Sequence, residues 1–156
     1  MEKDSEEASK WYFKAASQGV MEAQYNLATM YQNGVGVIQN YEKAFEWHLK
    51  AAEQGMLGSQ VNVGIMFENS IGTQKDITKA IKWYTIAAEK NEAQAQFNLA
   101  VIFHQGSGNN KDVIDLEKAL KWYFQAASRG SAPAMTNLGV LYALGKGVPL
   151  NYIEAY

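Results

Sequence analysis

Cysteine is absent from the 156-residue chain, which excludes a disulfide framework, a thiol nucleophile and a cysteine-ligated zinc. The redox compartment stays open, because a thiol-free chain is tolerated in any. An excess of one charge is missing as well: 14 basic residues stand against 16 acidic ones, a net charge of −2. That balance does not build an electropositive surface for nucleic acid or anionic lipid. No apolar run approaches the ~18 residues that span a bilayer, so membrane insertion is not expected. The opening stretch Met1-Glu2-Lys3-Asp4-Ser5-Glu6-Glu7 is acidic and lacks the apolar centre of a secretory signal. Nothing else in the sequence specifies localisation.

Histidine is scarce too, with His48 and His104 alone. Two histidines so far apart make no metal motif, no 12-residue calcium loop is present, and no cofactor is expected. The Gly-x-Gly pairs recur once per repeat and are explained by turns rather than by a phosphate loop. Glu6, Glu7, Asp112 and Asp115 read as surface or capping carboxylates rather than an acid–base pair. The chain is not expected to be an enzyme.

What the sequence does hold is periodicity. Its apolar fraction of 47% suits one ordinary globular domain. Tryptophans fall at Trp11, Trp47, Trp83 and Trp122, spaced by 36, 36 and 39 residues. Ala-Ala pairs at 15–16, 51–52, 87–88 and 126–127 keep the same spacing, as do Asn26, Asn62, Asn98 and Asn137. Three markers in one phase indicate a repeat.

Each repeat reads as two helices. Helix A of the first full unit runs over about 22–33 and helix B over about 41–54. Asp4, Asn40, Asp76, Asp115 and Asn151 precede helix B in phase, as side chains that accept from a first-turn N–H. Gly19, Gly55 and Gly130, with Asn91 in the same slot, close helix B. Gly34, Gly106 and Gly145, with Ser70 as the exception, end helix A, and Gly36, Gly72, Gly108 and Gly147 mark the turn that follows. The 39-residue spacing places a three-residue insertion in the third A-to-B loop, 109–114, which a repeat array tolerates at little entropic cost. The expected organisation is a single array over 1–156: a partial unit 1–19, full units 20–55, 56–91 and 92–130, and a partial unit 131–156. Asp4 is expected to cap a helix B that has no helix A before it. Both ends read as unfinished, as in a fragment, a trimmed array or a chain whose ends a partner covers.

The strings Trp11-Tyr12-Phe13-Lys14-Ala15-Ala16-Ser17-Gln18-Gly19 and Ala23-Gln24-Tyr25-Asn26-Leu27-Ala28-Thr29-Met30-Tyr31 recur as Trp83-Tyr84 with Ala87-Ala88, and as Ala95-Gln96-Phe97-Asn98-Leu99-Ala100. They resemble the Sel1-like repeat, a relative of tetratricopeptide arrays, over nearly the whole chain. The resemblance implies an all-α fold, an α/α solenoid of antiparallel helix pairs wound as a right-handed superhelix. It also implies adaptor or scaffold work, as in endoplasmic-reticulum degradation and bacterial host interaction. A cysteine-rich branch is linked to β-lactam binding; a chain without cysteine departs from that branch, and the activity is not carried over.

Comparing repeats separates two sets of helix A positions. Ala23/Ser59/Ala95/Ala134, Asn26/Asn62/Asn98/Asn137, Leu27/Val63/Leu99/Leu138, Ala28/Gly64/Ala100/Gly139 and Tyr31/Phe67/Phe103/Tyr142 barely change. A residue needed in every unit is best explained by packing, and the repeated tryptophan is read the same way. His48 stands where Tyr12, Tyr84 and Tyr123 stand elsewhere and reads as a substituted packing or surface residue.

The second set varies: Tyr25, Thr29, Gln32; Val61, Ile65, Glu68; Phe97, Val101, His104; Thr136, Val140, Ala143. The spacing i, i+4, i+7 puts each trio on one helix face. By resemblance to tetratricopeptide arrays this face lines a concave groove, apolar at Val61, Ile65, Phe97, Val101 and Val140, with Gln32, Glu68 and His104 at the edge. Such a groove suits an amphipathic helix or extended peptide; the plainer reading is packing against the neighbouring helix A. The stripe holds no lysine or arginine, which argues against an acidic C-terminal tail and against RNA as ligands. The expected partner is a protein or peptide. Alternatives are end-to-end self-association through the terminal helices and, more weakly, a small-molecule-binding or hydrolytic pocket.

Overall fold

The structure, a computed structural model, describes residues 2–107 and 111–145, with side chains from residue 4 onward. The described residues form an all-α solenoid of paired antiparallel helices. Its helices are α1 (Glu2–Ser17), α2 (Met21–Asn33), α3 (Tyr41–Glu53), α4 (Leu57–Asn69), α5 (Ile77–Glu89), α6 (Ala93–Gln105), α7 (Leu116–Ser128) and α8 (Ala132–Ala143). Odd-numbered helices are helix B of the repeat and even-numbered ones helix A. The chain divides into two compact units, residues 1–86 and 87–156. In the first, α2 packs on α1 and α3, and α4 packs on α3; in the second, α7 packs on α6 and α8.

Three of the expected N-caps are formed. Asn40, Asp76 and Asp115 accept from the backbone N–H of Lys43, Lys79 and Lys118 at 2.8, 2.9 and 3.0 Å. Each of these lysines then lies over the constant aromatic of the preceding helix A, Tyr31, Phe67 or Phe103, at 5.3 to 5.5 Å from the ring centroid. Asp4 is different. Helix α1 begins at Glu2, so Asp4 lies in its first turn instead of capping it, where a carboxylate faces the positive end of the helix. Asn151 lies outside the described residues.

Helix B closes as expected, with φ of 89°, 102° and 86° at Gly19, Gly55 and Gly130 and 69° at Asn91. The Ala-Ala pair supplies the acceptors. Val20, Met56, Glu92 and Ser131 donate their N–H to the first alanine carbonyl at 3.0 to 3.2 Å, and the residue before each donates to the second. At the other end, Gly34 and Ser70 end helix A in the left-handed conformation. Gly106 keeps a positive φ of 76° but swings to ψ −172°, so α6 ends differently at the lengthened loop.

That loop can be located by one hydrogen bond. Asn40 N–H donates to Tyr31 C=O and Asp76 N–H to Phe67 C=O, both at 2.9 Å; Asp115 N–H donates to Phe103 C=O at 2.7 Å. The insertion is therefore absorbed between Phe103 and Asp115, and both helices leave it in phase. Gly108 and Asn109 of that loop, and Gly147 of the next, lie outside the described residues.

The second turn glycine serves a close approach. A Cβ on Gly72 would sit 2.0 Å from the carbonyl oxygen of Tyr41, and one on Gly36 2.1 Å from that of Ser5. Each turn thus rests its backbone on the first turn of the helix B one repeat earlier, which only glycine permits.

Candidate functional site

The constant positions of helix A are largely interior. Ala23, Leu27, Ala28, Ser59, Val63, Ala95, Leu99, Ala100, Ala134 and Leu138 are all buried. Gly64 makes room for a neighbour: a Cβ there would meet the Tyr84 ring at 2.5 Å. The pattern loosens in α8, where Tyr142 is exposed and meets Phe124 edge-on at 6.3 Å. The tryptophans are less interior than the repeat suggests. Trp47 packs edge-on against Phe13 at 6.1 Å, but Trp11 is 61% exposed. In α1 a packing role for the tryptophan is therefore not met.

Two of the constant asparagines bond between helices, while Asn98 accepts from Gln94 of its own helix at 2.9 Å. Asn62 Nδ2 donates to His48 Nε2 at 3.2 Å and Asn137 Nδ2 to Tyr123 Oη at 3.0 Å. His48, Tyr84 and Tyr123, the same slot of helix B, are fully buried, so the surface alternative for His48 is excluded. Each also reaches the edge residue of the preceding helix A. His48 Nε2 lies 3.4 Å from Gln32 Oε1, Tyr84 Oη donates to Glu68 Oε2 at 2.9 Å, and Tyr123 Oη and His104 Nδ1 lie 3.4 Å apart. At Glu68 and His104 the polar edge is thus tied to the residues beneath it, whereas His48 Nε2, already accepting from Asn62, has no proton to give Gln32 Oε1. Burial lowers the pKa of His48 from 6.5 to about 4, leaving a neutral ring at pH 7. Burial also raises the Tyr123 pKa, against the opposing hydrogen bond from Asn137.

The sequence reading missed one interior device. Gln24, Gln60 and Gln96 are buried and donate to the carbonyls of Ala16, Ala52 and Ala88 at 3.2, 3.1 and 3.0 Å. The signal was the glutamine recurring in phase at 24, 60 and 96, present in the repeat with no role attached.

The varying trios divide between the two units. In the first, Tyr25, Thr29, Gln32, Ile65 and Glu68 are half-buried, while Val61 is only 6% exposed and belongs to the packed layer beneath. The Tyr25 ring bridges the helices: it meets His48 edge-on at 5.6 Å, and a Cβ on Gly58 would stand 3.1 Å from it. In the second unit, Phe97, Val101 and His104 are half-buried, and Thr136, Val140 and Ala143 are exposed. Phe97 and His104 both pack on Tyr123, with ring centroids at 6.1 and 6.0 Å. This face mixes apolar side chains with the amide of Gln32, the carboxylate of Glu68 and the imidazole of His104. Among the described residues no cluster of three histidine, aspartate or glutamate side chains is placed to hold a metal, and no helix is long and apolar enough to cross a membrane.

Comparison with known proteins accords with this architecture. A family model described as Sel1 repeat matches residues 1–20, 22–56, 58–92, 93–131 and 132–156. The chain is similar to a Sel1 repeat protein from Oxalobacter formigenes, 37% identical with a TM-score of 0.83, over 94% of this chain and 58% of that one. It is similar to c5321, a protective antigen of uropathogenic Escherichia coli strains displaying an SLR fold, 34% identical with a TM-score of 0.83, over 89% of this chain and 29% of that one. Cysteine-rich protein B of Helicobacter pylori is 26% identical with a TM-score of 0.63, over 87% of this chain and 96% of that one. The chain thus spans 29% and 58% of the length of the first two structures. No curated protein matches it.

Proposed function

The chain belongs to the Sel1 repeat family, and from that premise we propose that it is a protein-interaction scaffold whose varying helix A face binds a peptide or helix of a partner. One observation carries the reading. Positions that stay constant between repeats are mostly buried or bonded between helices, whereas the positions that vary, Val61 excepted, keep partial exposure in both units. Variation is thereby concentrated where a partner has access, which is how one fold serves different ligands. The anchors are Tyr25 and Ile65 in the first unit and Phe97, Val101 and Val140 in the second. Thr29, Gln32, Glu68, His104 and Thr136 supply polar contacts around them. Val61 supports the face from below.

The test is capture of partners from the native source by the wild-type chain and by an Ile65→Glu, Phe97→Glu, Val101→Glu variant. The variant is expected to keep its helical circular dichroism and lose the specifically captured partner. Equal capture by a folded variant overturns the assignment of this face.

A further inference from the structure

Position 45 of the repeat carries a large apolar side chain that fills the space between helix B and the following helix A. Phe45 meets Phe67 edge-to-face with centroids 5.1 Å apart. The phase-matched residues are Ile81 and Leu120, and Leu120 is part of the packed core of its unit. In α1 the same slot holds Ser9. Its hydroxyl turns back along its own helix and donates to the Glu6 carbonyl at 2.7 Å.

Two depressions flank Ser9. One, of about 500 Å³, has apolar walls from Trp11, Phe13, Leu27, Tyr31 and Val37. The other, of about 780 Å³, lies toward the turn at 34–38. Tyr31 is the counterpart of Phe67, the ring that Phe45 covers one repeat later. Lys10, Lys14 and Glu7 line the first depression; Lys10 and Glu7 pair at 3.2 Å, which leaves Lys14, over the Trp11 ring at 4.4 Å, as its one net positive charge. None of these residues belongs to the varying face.

We propose that the Ser9 depression is a second binding site, which takes a phenylalanine side chain of a partner peptide with an acidic neighbour held by Lys14. The phenyl ring replaces what Phe45 supplies internally one repeat later. The rim charge selects anionic flanks.

The test titrates the whole chain with the peptides Ac-EFE-NH2, Ac-EAE-NH2 and Ac-KFK-NH2 and follows backbone amide shifts. Ac-EFE-NH2 is expected to shift Ser9, Lys10, Leu27, Tyr31 and Val37 with an affinity on the order of millimolar. Ac-EAE-NH2 is expected to give no such shifts, and Ac-KFK-NH2 binding at least several-fold weaker. Ser9→Phe fills the site from within, so it is expected to abolish these shifts while raising the Tm. Ser9→Leu guards against a ring too large to fit and is expected to do the same. Absent shifts with Ac-EFE-NH2, equal binding of Ac-KFK-NH2, shifts that persist in the filled variants, or a lowered Tm in both variants would each overturn the proposal.

Discussion

His48 Nδ1 and Ser59 Oγ lie 3.2 Å apart in the interior of the first unit. Each is a departure from its own repeat position. Tyrosine stands at the His48 slot in the other repeats, and alanine at the Ser59 slot. The two exceptions are partners: the neutral imidazole donates from Nδ1 to the serine hydroxyl and accepts at Nε2 from Asn62. The smaller ring leaves a polar nitrogen where tyrosine has carbon, and the added hydroxyl satisfies it.

This pair makes the fold acid-sensitive. Burial holds His48 near a pKa of about 4 against an ordinary value of 6.5. The folded value is the lower one, so the unfolded chain takes up the proton first. Above pH 6.5 the residue contributes no pH dependence. Between about 6.5 and 4 stability falls as pH falls, by a total on the order of 3 kcal/mol, and below that the effect levels off. Urea melts from pH 7.5 to 4 are expected to show this slope. The double substitution His48→Tyr, Ser59→Ala is expected to flatten it, and an unchanged slope in that variant would show that another group is responsible.

The turn glycines separate backbone strain from crowding. Gly72 has φ 65° and would place a Cβ 2.0 Å from the Tyr41 carbonyl oxygen, whereas Gly130 has φ 86° with nothing within 4 Å. Gly130→Ala meets only the left-handed penalty of about 1–2 kcal/mol. Gly72→Ala adds a clash with backbone that cannot move aside. Chemical denaturation is expected to rank Gly72→Ala clearly below Gly130→Ala in stability. Equal losses would show that the turn does not rest on α3.

The repeat was legible because its signals are local and redundant. Asn40, Asp76 and Asp115 cap helix B because their side chains reach an N–H three residues ahead, which a sequence displays directly. Asp4 misled because the same chemistry also suits a first helical turn. The bonds from Gln24, Gln60 and Gln96 to Ala16, Ala52 and Ala88 join different helices, and a recurring glutamine does not announce its acceptor. The candidate face was legible as a periodicity but not as a surface. Val61 and Ile65 lie on one face of α4, yet packing buries the first and leaves the second accessible. Ser9 showed only as one weak residue in a strong slot.

The caps have their own pH signature. Asp76 and Asp115 are held below the usual carboxylate value, first by the backbone N–H of Lys79 and Lys118 and then by the charge and hydrogen bond of those lysines. Depressed carboxylates stabilise the fold above their unfolded value near 3.8, and that contribution fades as pH falls through the lower folded value. Asn40 makes the same bond without a titrating group. Asn40→Ala is expected to lose about 1 kcal/mol at any pH. The losses from Asp76→Ala and Asp115→Ala are expected to shrink at pH 2 to 3, as measured by thermal melts of the three variants side by side.

The buried glutamines allow a finer test, because their two ends differ. In all three the Nε2 donates to an alanine carbonyl that already accepts a backbone N–H at 2.9 to 3.0 Å. The Oε1 of Gln24 accepts from Gln54 at 2.7 Å, whereas the Oε1 atoms of Gln60 and Gln96 have no partner among the described residues. Removing the amide at 60 therefore orphans nothing and relieves an unpaired oxygen, so Gln60→Met is expected to lie within about 1 kcal/mol of wild type. At 96 the Nε2 also donates to Gln125 Oε1 at 3.4 Å, so Gln96→Met is expected to cost somewhat more than Gln60→Met. Gln24→Met also breaks the link to Gln54 and is expected to cost more. Gln60→Glu turns a buried carboxylate toward the Ala52 carbonyl, and its cost is expected to reach several kcal/mol at pH 7 and to ease at pH 4. Urea midpoints of the four variants decide the matter: a Gln60→Glu chain as stable as Gln60→Met would mean that water reaches this site.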